Sequence, residues 1–313
     1  MRLEFQIIAA LILDFVLGDP RWLPHPVRLI GNSAIILEKI WRKLIKNERT
    51  AGLCTMLSVL AATGLTTAGI LYAASLIHPM AEIACSIFLL YTTVAVTDLA
   101  RHARAVYAPL ALKNLPRAQK RVGMIVGRDT SVLDEAGVAR ATVESVAESM
   151  VDGVTAPLFF AFLAGPIGAM LYKAINTMDS TFGYKNDQYK DFGWGPAKLD
   201  DLANFIPARI TGLLVPLAAL FAGLDWRNSW KIFRRDRLNH TSPNSAHTEA
   251  GVAGALGVQL GGSNIYFGKK IEKPTIGDPL QTITAALIPA TNRLLYITTM
   301  LAVSMGLAFR ISF

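Results

Sequence analysis

Long apolar runs alternate with short basic or polar stretches along this chain, and the runs predict its elements. Residues 5 to 17 form a short apolar helix that stops at Gly18-Asp19-Pro20, because proline cannot continue a helix. Asp14 interrupts the run and no small-x-small cleavage site follows, so the segment reads as a retained first membrane segment. Pro24 and Pro26 flank His25 and impose an extended backbone there. Arg21, His25 and Arg28 then sit on a stiff loop at a membrane edge, either an interfacial anchor with Trp22 or an anion-binding turn. Residues 34 to 49 set Ile36, Ile40 and Trp41 against Lys39, Arg42 and Lys43, the pattern of an amphipathic interfacial helix. Gly52 to Ile77 is the clearest transmembrane run, and His78-Pro79 turns it into a second span over about Ile83 to Val96.

Residues 99 to 150 are soluble in character and helical in pattern, with a break at Gly127-Arg128-Asp129. Arg140, Glu144, Glu148 and Asp152 follow at i, i+4 steps and line one helix face. That face is either a solvated salt-bridged surface or, because three of its members repel one another, a cation site. Ala156 to Leu171 is apolar but carries Ala164-Gly165-Pro166 at its centre, which predicts a kinked span or a re-entrant hairpin. Ile206 to Gly223, interrupted by Pro207 and Pro216, has the same two readings. Ser242-Pro243-Asn244-Ser245 is a turn and cap signal. The stretch after it carries Gly251, Gly254, Gly257, Gly261 and Gly262, small residues that predict tight helix packing. Ile283 to Leu307 gives the last span.

Composition narrows the class. Only 17% of the 313 residues are charged, against about 25% in soluble domains. The formal net charge is +8, and the basic residues sit beside apolar runs. That arrangement suits cytoplasmic loops of a membrane protein and argues against a nucleic-acid partner. By the same rule the loops at 38 to 49 and 101 to 128, and the patch from Arg227 to Arg237, face the cytoplasm. Cys54 and Cys85 lie within apolar runs and read as small packed hydrophobes. The expected architecture is an all-α, polytopic integral membrane protein. It has about four to six membrane segments, some broken or re-entrant, forming one domain over residues 1–313 with a polar site facing the cytoplasm.

The densest polar chemistry lies between apolar walls, from Tyr172 to Arg209. It comprises Lys173, Asn176, Asp179, Lys185, Asn186, Lys198, Asp200, Asp201, Asn204 and Arg209. Such groups are costly there unless solvated, paired or used. There is no HExxH, no CxxC and no G-x-x-x-x-G-K-[ST] in the chain. Arginine and lysine suit phosphate or carboxylate ligands, and clustered Asp, Glu and Asn suit Mg²⁺ carrying a nucleotide. The combination points to phosphate-dependent group transfer or ligation. The competing class is a transporter or binding protein for an anion, which would place such residues inside its spans. The hairpin from Gly52 to Val96 has almost none.

Five segments carry a specific resemblance: LDFVLGDPRWLPHPVRLIG (13 to 31), GRDTSVLDEAGVARATVESVAESMVDGVTAPLFF (127 to 160), YKAINTMDSTFGYKNDQY (172 to 189), LDDLANFIPARIT (199 to 211) and SPNSAHTEAGVAGALGVQLGG (242 to 262). Together they resemble the CbiB/CobD family of cobalamin biosynthesis, the adenosylcobinamide-phosphate synthases. Two departures stand out: Ser149 where the family commonly has Asn, and Thr248 where a Pro is usual. The resemblance implies a cell-membrane enzyme with a cytoplasmic site. It would join adenosylcobyric acid to (R)-1-amino-2-propanol O-phosphate, or to the free amine, using ATP and Mg²⁺, with the corrinoid as substrate. A corrinoid transporter is the alternative, and other late corrin-pathway enzymes at the membrane are the expected partners.

Within that frame Glu144, Glu148 and Asp152 are the expected Mg²⁺ ligands. Asp179, Asp200 and Asp201 are a second carboxylate set, with Lys173 beside them. Lys173, Arg128 and Arg209 would hold phosphate groups, and His25 and Arg28 would meet corrinoid side chains or the amine's phosphate. Asn176, Asn204 and Asn244 would orient ligands, and Tyr184, Trp194 and Phe205 would offer flat faces to a macrocycle.

Overall fold

The computed structural model describes residues 1–20, 25–184, 186–266 and 268–312. Arg21, Trp22 and Pro24 of the proline-rich loop, and Lys185 of the polar stretch, lie outside the described residues. In chain order the first helices are α1 (Leu3–Leu17), α2 (Pro26–Leu44), α3 (Glu48–Ile77), α4 (Pro79–Tyr91), α5 (Val96–Ala111) and α6 (Leu115–Val122). Next comes α7 (Glu135–Met150), which widens into a π turn over Val151–Thr155 and continues as α8 (Ala156–Phe182). Then follow α9 (Trp194–Ala203), α10 (Phe205–Phe221), α11 (Trp226–Asp236) and α12 (Ser245–Leu256). An antiparallel hairpin, β1 (Leu260–Tyr266) and β2 (Lys269–Ile276), precedes α13 (Leu287–Ser312).

The fold is therefore all-α but for one small hairpin. Among the described residues four helical stretches are long and apolar enough to cross a membrane: Glu48–Ile77, Pro79–Ala111, Glu135–Phe182 and Leu287–Ser312. The pair α9 and α10 makes a fifth if counted as one broken span. This is the character of a multi-pass membrane protein.

Local sequence explains the helix ends. His25 precedes a proline and is extended (φ −92°, ψ 122°), and its Nδ1 accepts the Val27 N–H at 3.3 Å to cap α2. The helix thus starts at Pro26, ahead of the amphipathic pattern that begins at residue 34. His78 repeats the device, its Nδ1 accepting the Met80 N–H at 3.1 Å. The break predicted at Ala164-Gly165-Pro166 is present, with Gly165 at φ 62° and ψ −152°, a conformation open to glycine.

The single domain expected over 1–313 resolves into two compact units. The first comprises Met1–Ala95, Ala156–Asn204 and Gly306–Phe313, and the second Val96–Thr155 and Phe205–Met305. In the first unit α2, α3 and α8 bury Ile30, Val59, Met170, Met178, Phe182 and Phe192 together. Phe182 and Phe192 meet edge-on at 5.2 Å, and the Arg42 guanidinium lies 4.2 Å over Phe192 while donating to the Gln188 carbonyl at 2.8 Å. Glycine makes this closeness possible: a Cβ on Gly52 would stand 1.9 Å from the Phe192 carbonyl oxygen.

The second unit is built around α12, which is buried along its whole length. Its Gly251 faces Val215 of α10, and its Gly254 faces the backbone of Asn228 and Ser229 on α11. Asn228 Nδ2 donates to the Gly254 carbonyl and Ser229 Oγ to the Gly251 carbonyl, both at 2.7 Å. Two of the five glycines thus pack helices as expected. The other three do not: Gly257 (φ 62°) ends α12 in the left-handed region, and Gly261 and Gly262 (φ 76° and 75°) lie in β1 opposite a bulge at Pro274 of β2. Positive φ at these positions cannot continue a helix, so the chain leaves it and pairs as strands.

Gly52→Ala is expected to lower the melting temperature of the detergent-purified protein, because overpacking costs about 1–3 kcal/mol. Gly69→Ala, whose Cβ would meet nothing within 4 Å, is the control and should not lower it. Equal melting temperatures would contradict the close approach at Gly52.

Candidate active site

The second unit holds a small polar cavity of about 160 Å³ between α7, α12 and the hairpin. Glu144 stands at its centre. The Asp134 side chain accepts the Gly137 N–H and starts α7, and the helix then carries Arg140, Glu144 and Glu148 on one stripe. Glu144 Oε2 meets Arg128 Nη2 at 2.5 Å, and Glu144 Oε1 accepts the Gly261 N–H at 2.7 Å. Arg128 Nη1 also donates to Asn264 Oδ1 at 2.6 Å. Arg140 Nη2 reaches the Ser263 carbonyl at 3.4 Å. Glu148 Oε1 accepts from Ser245 Oγ at 3.0 Å, at the start of α12. Asp129 joins the loop to the hairpin, its N–H donating to the Ile265 carbonyl and its Oδ2 accepting the Gly268 N–H.

Four further residues of this unit's polar centre gave no separate signal in the sequence. Glu249, His240, Tyr266 and Lys273 all line the cavity. Burial, with Glu148 and Glu144 adding to it, holds the Glu249 carboxyl well above the usual carboxylate range. Burial also lowers the His240 imidazole, so both groups favour their neutral forms. His247, on the same helix, has neither ring nitrogen partnered among the described residues. Its burial, with Arg209 and Arg237 nearby, lowers it to about 4, so the ring is neutral at pH 7. Arg209 stacks on Phe205 at 3.4 Å and donates to Asn244 Oδ1 at 3.4 Å. Histidine and glutamate on a glycine-rich helix read as ordinary helix residues; only their full burial sets them apart.

The first unit holds the other expected residues. Lys173, Asn176 and Asp179 rise along α8, while Asp200 and Asp201 are on α9 and Asn204 closes it. Tyr172 donates to Asn204 Oδ1 at 2.8 Å, and Asn204 Nδ2 donates to Asp200 Oδ2 at 3.0 Å, a buried relay from one helix to the next. Lys198 pairs with Asp201 at 3.3 Å. Gly183 lies so near Asp179 that a Cβ would stand 2.2 Å from its Oδ1. His25 Nε2 is 3.8 Å from Asp19, and Arg28 is exposed on the first turn of α2. Tyr184 and Trp194 are exposed, as is Phe205 in the second unit.

The members of the expected Mg²⁺ set make protein contacts of their own in this geometry. Among the described residues no three of His, Cys, Asp and Glu are placed to hold a metal ion. Both oxygens of Glu144 are taken by Arg128 and Gly261, Glu148 is hydrogen-bonded to Ser245, and Asp152 lies in the π turn away from the cavity lining. Arg128 offsets the Glu144 charge, whereas the hydrogen-bond partner of Glu148 is the uncharged Ser245 hydroxyl.

The family model described as CobD/Cbib protein matches residues 7–295. The chain belongs to the CobD/Cbib family. A relative from Geobacter metallireducens called "Cobalamin biosynthesis protein CobD" is 49% identical over 93% of this chain and 91% of its own length. Relatives of the same name from Clostridium perfringens and Leptospira interrogans are each 46% identical, over 97% and 96% of this chain and 97% and 95% of their own lengths. No solved structure matches the chain. Within the CobD/Cbib match lie the cavity, the Tyr172-Asn204-Asp200 relay and the α12 motif alike.

Removing one member of a buried pair strands the other charge, a loss of about 3–5 kcal/mol. Glu144→Ala is therefore expected to destabilise this CobD/Cbib chain strongly in detergent unfolding. Glu135→Ala, which breaks the exposed pair with Lys113, should cost less than about 1 kcal/mol. Similar losses in both would refute the buried pairing. A second expectation concerns pH. Arg235, at 2.7 Å, and then the Gly277 N–H hold the Asp236 carboxyl below its usual value. A depressed folded-state pKa contributes stability above the unfolded value of about 3.9, lost as pH falls through the folded one. The acid-side fall in melting temperature should be shallower in Asp236→Asn than in the parent, and an unchanged slope would contradict it.

Proposed function

We propose that this chain is an ATP-dependent acid–amine ligase of cobalamin biosynthesis. It joins the free propionate of adenosylcobyric acid to (R)-1-amino-2-propanol O-phosphate, or to the free amino alcohol. The observation that carries the reading is the family match over nearly the whole chain, with relatives named for cobalamin biosynthesis. Buried and exposed cationic side chains beside carboxylates, Arg128 with Glu144 and Lys198 with Asp201, support it chemically.

A propionate oxygen is a poor leaving group. Transfer of the terminal phosphoryl group of ATP to it gives an acyl phosphate and ADP. The amine nitrogen then attacks the carbonyl carbon, the C–O bond to phosphate breaks, and the amide forms with loss of one proton from nitrogen. Asp179, Asp200 or Asp201 is assigned as the acceptor of that proton. Lys173, Arg209 and Arg128 are assigned to phosphate groups, where a cation offsets the charge that develops. Asn176, Asn204 and Asn244 orient ligands by hydrogen bonds. His25 and Arg28 meet the corrinoid side chains or the aminopropanol phosphate, and Tyr184, Trp194 and Phe205 each offer a flat apolar face to a macrocycle. Mg²⁺ enters as the ATP complex, since a nucleotide's phosphates supply most of its ligands. The enzyme works at the cytoplasmic face of the cell membrane, near other late corrin-pathway enzymes.

The test is ligation by detergent-purified protein given adenosylcobyric acid, aminopropanol phosphate and Mg·ATP, followed by mass spectrometry. A corrinoid heavier by the amine less water, formed only with ATP, is the expected product. Asp179→Asn and Asp200→Asn should each lower its rate by at least about a hundredfold. Saturable corrinoid binding without product would move the reading to a transporter or scaffold.

A further inference from the structure

The hydrogen bonds from Tyr172 to Asp200 run in one direction. Tyr172 donates to Asn204 Oδ1 at 2.8 Å, and Asn204 Nδ2 donates to Asp200 Oδ2 at 3.0 Å. An ionised carboxylate only accepts, so it takes the N–H end of the amide. The carbonyl end is left to Tyr172, whose hydroxyl must then be the donor. An amide turned end for end would set oxygen against oxygen at Asp200. Asn204 is 2% exposed, so bulk water does not replace the tyrosine as partner of its carbonyl.

The Tyr172 ring is itself held. Residues 160 and 172 would stand about 18 Å apart along a continuous helix. Instead Phe160 stacks on Tyr172, with ring centroids 5.2 Å apart and planes at 14°. The chain turns back between them at Gly165 (φ 62°), and Gly168 admits the Phe160 carbonyl, from whose oxygen a Cβ would stand 2.6 Å. The break in α8 is therefore a fold-back, and it grips a tyrosine that is 1% exposed. The grip aims one hydroxyl at one amide. Asp201 pairs with Lys198 instead, which singles out Asp200 among the carboxylates of α9.

We propose that Tyr172 is a positioning residue of the ligation site. Its hydroxyl fixes the Asn204 amide, and the amide holds Asp200 in the conformation that receives the proton of the attacking amine. The proposal rests on the ligase reading, in which Asp200 is one of three carboxylates assigned to that proton, and it narrows the choice to Asp200. A base held loosely loses rate, because a misplacement of about 1 Å can cost about a hundredfold.

The test is a double-variant cycle read by ligation kinetics of the full chain in detergent, with adenosylcobyric acid, 1-amino-2-propanol O-phosphate and Mg·ATP. Tyr172→Phe, which keeps the stacked ring, should lower kcat about tenfold and leave each KM within about twofold. Added to Asp200→Asn, it should change the residual rate by less than about twofold, because the group it acts through is gone. Asn204→Ser carries the same expectation and takes its place should Tyr172→Phe fail to fold. A loss of about tenfold that persists in the Asp200→Asn background overturns the proposal, since a purely structural role multiplies with the other. An unchanged kcat in Tyr172→Phe, or full activity in Asp200→Asn, overturns it too. The two readings fail separately. Ligation by the parent with a multiplicative double variant retains the ligase and removes the relay. No ligation by the parent removes the ligase, and melting temperatures of Tyr172→Phe, Asp200→Ala and their double then decide the relay: a loss in the double smaller than the sum retains the coupling, and an additive loss removes it.

Discussion

The second unit depends on one buried ion pair. Arg128 and Glu144 are both almost wholly removed from water, and the desolvation of two charges costs several kcal/mol for each. That cost is met only if the remaining hydrogen-bonding capacity is also used. Here most of it is: the Gly261 N–H takes the second Glu144 oxygen and Asn264 the second Arg128 nitrogen, while the buried Arg128 Nε has no acceptor among the described residues. One carboxylate and one guanidinium thereby tie the 123–134 loop, α7 and β1 into a single arrangement. The hairpin is held by charges it does not itself carry, and the cavity under it is a by-product of that tie.

The second constraint is steric. A helix buried on every side is normally apolar all round, yet α12 carries His247, Thr248 and Glu249 in its interior. It can be buried because Gly251 and Gly254 let α10 and α11 approach it, and because Asn228 and Ser229 bond to its carbonyls. Close packing excludes water from the polar side chains on the same helix. This is why Glu249 and His247 stay uncharged: they are in water-free surroundings set by glycines, and no nearby group of opposite charge outweighs that burial.

Much of this was legible in the sequence, and the exceptions have physical causes. Apolar runs located α3, α4 and α13, and Ala164-Gly165-Pro166 located the break in α8, because hydrophobic length and proline act locally. The hairpin was not legible. Glycines spaced three or four apart give the same pattern whether they pack a helix or take positive φ, and only the backbone at Gly257, Gly261 and Gly262 separates the two. The carboxylate stripe on α7 was legible as a face. The partners that meet it, Arg128, Gly261 and Ser245, come from other segments, and spacing along one helix cannot announce them. Glu249 and Lys273 were invisible for the same reason, since burial is a property of the fold.

The two sets of polar residues differ in a way that bears on chemistry. In the second unit a small polar cavity is lined by the paired Arg128 and Glu144 together with Glu148, Glu249 and Lys273. In the first unit the Tyr172-Asn204-Asp200 relay is internal, while the aromatic Tyr184 and Trp194 stay exposed. Trp194 has the Arg49 guanidinium 5.7 Å over its ring, so the exposed aromatics of this unit stand beside charge.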